Sequence, residues 1–248
     1  LARPEEFKDA SVIDAFTKAF AQLPDKRIRG VVIISLFVAL AIYMALAGVL
    51  WWVAENAVIV EQLPWVNALA SVLGSITAFV LALLFFPAIV SMIIGFFLER
   101  VADAVEARHY PGLPPNREAP VMEIVLSTAK FAAVAIGLNI LALPLYLLLL
   151  FIPGSSLVLF YALNGYLLSR EYFEAVALRR VDARTAKSLR SQHMMRLWLA
   201  GAGITFLATV PFVNMLAPVV GTAAMTHIAT GLLRRHKLLD APVVGATR

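Results

Sequence analysis

The chain contains no cysteine. Disulfides and thiolate metal sites are therefore excluded, although the missing residue by itself assigns no redox compartment. Charge is also scarce. Only 15% of the 248 residues are charged, against 61% that are apolar, which lies far outside the range of an ordinary globular domain. Phosphate-cradling glycine loops, HExxH and GxSxG are missing as well, so nucleotide-driven transport and the familiar hydrolase arrangements have no support. The formal charge of +5 looks like a nucleic-acid signal until the basic residues are placed. Nearly all fall between apolar stretches, where membrane topology accounts for them, and nucleic acid is not expected as a partner.

What the chain has in abundance is apolar length. A hydrocarbon core about 30 Å thick is crossed by a helix of roughly 20 apolar residues. The run from Gly30 to Ala54 meets that length and reads as a retained spanning helix instead of a cleaved signal. Trp51 and Trp52 near its far end suit the aromatic belt at a membrane surface. A second run, Trp65 to Leu98, exceeds one straight crossing and is divided by Pro87. It predicts a spanning helix, a kink, and a helix that leaves the membrane through Glu99 to Arg108. Ahead of both, Val12, Phe16, Phe20 and Leu23 recur at helical spacing after a Ser11/Asp14 capping pair, the pattern of a short interfacial amphipathic helix.

The second half predicts two helical hairpins. The run Val121 to Ile152 contains Lys130 and Pro144, turns at Pro153-Gly154 and returns over Ser155 to Ser169; Leu197 to Val210 turns at Pro211 and returns over Phe212 to Leu233. Two of the four arms are short for a full crossing, which favours tips that stop partway, with backbone buried in protein or lining a wet cavity. The expected fold is thus an all-α integral membrane protein with two long transmembrane helices and two proline-tipped, partly penetrating hairpins. A single membrane domain covers 1–248: an interfacial helix and basic entry segment over 1–29, the long helices over 30–110, and hairpins over 121–180 and 184–237. With the N-terminus inside, every basic cluster faces the cytoplasm, and Lys130 alone sits within an apolar run. Both termini are then cytoplasmic.

Candidate chemistry is confined to a few places. Lys26, Arg27 and Arg29 precede Gly30 at the start of the first spanning helix, where free amides and the helix dipole favour an anion; a basic anchor touching lipid headgroups is the alternative. Glu99, Asp103, Glu106 and His109 are spaced four, three and three, so one helix face could carry a metal or acid/base chemistry. A solvated face, or salt bridges to Arg100 and Arg108, is the ordinary explanation. Lys130 reads as a snorkelling lysine or part of an anion path. Its distance from Glu123, about 10 Å by helical rise, argues against a direct pair. Thr222, Thr226 and Thr230 form one stripe beside His227, suited to helix packing or to lining a pore. Ala70, Gly74 and Ala78 give one close-packing face, for intramolecular contact or a homo-oligomer.

Three stretches carry a resemblance that spans nearly the whole chain: Ala102-Asp103-Ala104-Val105-Glu106-Ala107-Arg108, Phe151-Ile152-Pro153-Gly154, and Pro211-Phe212-Val213-Asn214-Met215-Leu216-Ala217-Pro218-Val219-Val220-Gly221-Thr222-Ala223-Ala224-Met225. They resemble the CysZ-type sulfate permeases and the wider etoposide-induced membrane protein family. The resemblance implies a homo-oligomeric permease in the bacterial inner membrane, moving sulfate or a related anion toward cysteine synthesis without nucleotide hydrolysis or cofactor. It implies an anion site at Lys26, Arg27, Arg29 and Gly30, although Ile28 separates arginines that are adjacent in the family pattern. Pore or gating candidates are Glu99, Arg100, Asp103, Glu106, Arg108, Lys130, Asn214 and Thr222, with no catalytic or metal-binding residue. The alternatives are a non-transporting scaffold or lipid-binding member of the family and, third, a metal-dependent lipid-modifying enzyme using Asp103 and Glu106.

Overall fold

The computed structural model describes residues 11–56, 65, 72–74, 76–77, 97–211 and 213–239. The Pro87 kink and the packing positions Ala70 and Ala78 fall outside them. Among the described residues the protein is all-helical, and two helices, Lys26–Val49 and Val121–Leu149, are long and apolar enough to cross a membrane. The second is the first arm of the expected first hairpin, while most of the expected second long helix, Trp65 to Leu98, lies outside the described residues.

Helix α1 (Val12–Gln22) starts at a complete capping box: Asp14 N donates to Ser11 Oγ at 3.1 Å and Ser11 N to Asp14 Oδ2 at 3.2 Å. It does not rest only on its large apolar residues. Ala15, Ala19 and Gln22 are the buried positions, while Phe20 is exposed. Small side chains let α1 approach the protein closely, and it docks on the last helix. Helix α2 (Lys26–Asn56) has 31 residues, about 46 Å of rise. Among the described residues its first turns are held against the core, through Ile28, Val31 and Ser35; beyond them Phe37, Met44 and Trp51 are exposed. An apolar surface of this length facing outward fits a lipid solvent and no aqueous one.

After a short helix α3 (Leu98–His109), the 29-residue α4 (Val121–Leu149) runs unbroken through Pro144. Proline removes one backbone bond, but the rest of this long apolar helix carries the turn. Gly154, at φ 80°, makes the following reversal, a conformation that suits glycine. Helix α5 (Ser155–Ala177) is longer than the apolar run alone suggests. Arg170 and Glu174 pair at 3.0 Å one turn apart and keep the charged end helical.

Amphipathic α6 (Ala183–Gln192) is capped by Asp182, whose carboxylate accepts from Arg184 N at 3.0 Å. Helix α7 (Met194–Thr209) then lies antiparallel to α5: Tyr161 meets Thr209 at 3.1 Å and, further along, Ser169 meets Gly201. A Cβ on Gly201 would stand 2.0 Å from Gly165 O and 2.6 Å from Ser169 N. The two backbones are therefore in direct contact. A 3-10 turn (Val213–Met215) leads into α8 (Ala217–Arg235), the central helix, buried at nearly every position from Ala217 to Leu233 and packed by α1, α3, α5 and α7.

Candidate functional site

Charge gathers at one end of the structure, where α2 begins, α3 ends, and the connections around α6 lie. At the start of α2, Ile28 is fully buried. Successive helical residues are rotated by about 100°, so Arg27 and Arg29 leave the axis on opposite sides of that anchor and do not converge. Lys26 and Arg29, three apart, share the outward face with Gly30, and Arg27 flanks it. Lys26, Arg27 and Arg29 are exposed and make no ion pair among the described residues. The helix end itself already holds a carboxylate: Arg27 N donates to Asp25 Oδ1 at 2.9 Å, and Arg108 Nη1 contacts Asp25 Oδ2 at 3.2 Å. Asp25 thus takes up the amide and dipole interactions that favour an anion there, leaving the side-chain cations for an external one.

The acids of α3 are held by arginines from beyond α5. Glu106 is buried and contacts Arg180 Nη2 at 2.6 Å and Arg179 Nη2 at 3.4 Å. Arg179 also pairs with Asp103 and donates to Glu99 O at 3.2 Å, while Arg180 donates to Pro114 O. Salt bridges to Arg100 and Arg108 do not form. Arg100 lies over the Phe97 ring, 5.0 Å from its centroid, and Arg108 is taken by Asp25. Asp103 and Glu106 therefore face guanidiniums, which leaves them poorly placed as metal ligands. Glu123 pairs with Arg117 at 2.5 Å and also accepts from Ala183 N at 3.1 Å, tying α4 to the α6 connection. Lys130 is exposed on α4.

The stripe of Thr222, Thr226 and Thr230 is buried inside α8. Thr226 Oγ1 donates to Thr222 O at 2.7 Å, whereas Thr222 Oγ1 is buried with no partner among the described residues. His227 beside the stripe meets Tyr110 OH at 2.9 Å through Nδ1, and the His109 ring stands edge-on to it at 4.8 Å. Burial, followed by the charges of Arg108 and Lys18, lowers the His109 pKa; burial pushes the Tyr110 hydroxyl up to about 12. Asn214, half-buried, sits in the 3-10 turn at the tip of the second hairpin, far along the chain from the charged end.

Sequence reasoning missed Arg117, Arg179, Arg180 and Tyr110. The doublet Arg179-Arg180 is visible in the sequence as a pair of cations that need acids, but nothing local marks Glu106, 74 residues from Arg180, as the partner. Arg117 was hidden by the proline-rich loop that carries it.

Exposed apolar helices set against an ion-paired end, with an outward basic turn, define an all-helical membrane protein. The chain belongs to the family of sulfate transporter CysZ and etoposide-induced protein 2.4, which it matches over residues 15–218. That family is associated with transport rather than catalysis. No curated protein matches the chain.

Proposed function

We propose that the protein is an inner-membrane permease for sulfate or a closely related inorganic anion, working as a homo-oligomer without nucleotide hydrolysis. The family membership supports the transport class. The observation that carries the anion is the first turn of α2, where Lys26 and Arg29 share an exposed face with Gly30, and Arg27 flanks it. A dianion is attracted to that turn, and Asp25 limits how tightly it is held by competing for the same positive end. Rapid binding with moderate affinity suits an entry site, since an anion that cannot leave is not conducted. Both termini and all these charges lie on the cytoplasmic side in this reading, as the positive-inside rule requires. The pairs that Arg179 and Arg180 make with Asp103 and Glu106 then frame the cytoplasmic mouth. The hairpins turning at Gly154 and Pro211 enter from the same side in this reading, and the second, with its 16-residue α7, goes only partway.

The test is sulfate uptake into liposomes containing the purified protein. Lys26→Ala with Arg29→Ala should abolish most of the saturable uptake, and Arg27→Ala should reduce it less. All three side chains are exposed, so thermal stability should not change. Absence of uptake by the well-folded native protein would replace the permease with a non-transporting member of the family.

A further inference from the structure

Between α3, α4, α5 and α8 lies a cleft of about 490 Å³ that the anion reading does not use. Its floor is apolar, formed by Leu98, Phe131 and Val176 among others, and its polar groups are of three kinds. Arg117 and Arg179 line it but are neutralised, by Glu123 and by Asp103 with Glu106. Glu174 pairs with both Arg170 at 3.0 Å and Arg190 at 3.5 Å, and the Arg170 guanidinium also lies over the Phe131 ring, 5.7 Å from its centroid. Glu99 and Glu171 line it as carboxylates with no ion-pair partner among the described residues. At the back, Thr222 lines the cleft, and its hydroxyl is buried with no hydrogen-bond partner among the described residues.

The two carboxylates without an ion-pair partner among the described residues outweigh the one arginine in excess on Glu174, so the cleft keeps a negative field that repels a free dianion and attracts a cation. An apolar floor excludes a small hydrated ion as the full occupant, because most of the volume would hold no partner for it. A buried hydroxyl without a partner calls for an acceptor or donor on the ligand. The position of the cleft completes the description. Ser127, Thr128 and Phe131 line it from the first turns of α4, about 9 to 15 Å along a helix long enough to cross a membrane. That depth spans the headgroup layer and the start of the hydrocarbon. Val125, Leu126 and Ile136 on the same helix are exposed apolar residues, so the membrane reaches the cleft laterally.

We propose that this cleft binds an aminophospholipid, with its primary ammonium between Glu99 and Glu171, its phosphate and ester oxygens toward Ser127, Thr128 and Thr222, and the base of an acyl chain over Phe131. An ammonium with three N–H donors satisfies both carboxylates in a way that a quaternary amine cannot. The seated lipid bridges α3, α4 and α5.

Native mass spectrometry of the delipidated full-length protein in detergent tests this, with phosphatidylethanolamine, phosphatidylglycerol and phosphatidylcholine of matched chains added at equal concentration. Phosphatidylethanolamine should be retained at least about tenfold over the other two, equivalent to one factor of ten in the equilibrium constant. Glu99→Gln with Glu171→Gln, which keeps the size of both side chains and breaks no ion pair among the described residues, should remove the preference without lowering the melting temperature. Thr222→Val, of matched volume, should weaken retention while keeping the order of the three lipids. Equal retention of phosphatidylglycerol or phosphatidylcholine by the native protein, or a preference that survives the double substitution, would overturn the proposal. None of these readings depends on anion transport.

Discussion

The crossing of α5 and α7 offers the sharpest test of the packing. An ideal Cβ at Gly201 would lie 2.0 Å from Gly165 O, 2.6 Å from Ser169 N and 2.8 Å from Ser169 Cβ. Nonbonded carbon contacts begin near 3.5 Å, so Gly201→Ala must separate the helices by roughly 1 Å. The obstacle is mostly backbone, which cannot rotate away as a side chain would. Overpacking of this kind costs up to about 3 kcal/mol, and replacing a helical glycine with alanine returns about 1 kcal/mol. A net loss of about 2 kcal/mol remains. For a chain of this size that corresponds to roughly 4–8 °C in melting temperature, measurable by differential scanning fluorimetry on detergent-purified protein. Two other glycines calibrate the result. Gly137→Ala in α4 meets nothing within 4 Å and should raise stability by up to about 1 kcal/mol. Gly165→Ala meets Ala202 N at 3.2 Å, where the strain and the helix gain nearly cancel. If Gly201→Ala melted at or above the native temperature, the close crossing would be refuted.

Other perturbations address the charged end. Glu106→Ala leaves Arg179 and Arg180 buried without their shared partner and should cost about 3 kcal/mol or more, whereas Glu106→Gln keeps an acceptor and should cost less; chemical denaturation of both variants distinguishes them. Asp182→Ala removes the cap that accepts from Arg184 N and Thr185 Oγ1 and should lose about 1 kcal/mol, with faster amide exchange at the start of α6. The lowered pKa of His109 means that the unfolded chain takes up its proton first, at its ordinary value of about 6.5. Its contribution to stability is therefore complete above that pH and lost as the pH falls below it, toward the depressed folded value. Melting temperatures at pH 7.5 and 5.5 should differ less for His109→Gln than for the native chain, and an unchanged difference would remove His109 as the source.

The sequence alone determined the solvent and, among the described residues, that the elements are helices. Runs of apolar residues as long as Gly30 to Ala54 have one stable environment, because their helices cannot bury that surface against so small a protein. Caps were equally legible: Ser11 with Asp14 satisfies amides three residues away, so a local pattern suffices. Family membership rested on stretches whose order in the chain is the signal.

Tertiary structure alone decided which groups meet. Glu106 finds Arg180, and Tyr110 finds His227, across separations of 74 and 117 residues, and no local periodicity encodes a partner at that range. It also decided which side of a helix matters. Ile28 was an interruption in a basic motif when read along the chain; buried against the core, it is the anchor that sends Arg27 and Arg29 to opposite sides of α2. Thr222 illustrates the same limit, since a threonine stripe is polar in sequence whether its hydroxyls are bonded or not. The fold places Thr226 Oγ1 on a carbonyl and leaves Thr222, which lines a cleft, with its Oγ1 buried and without a partner among the described residues, because hydrogen bonds and cavities are properties of neighbours brought together by packing.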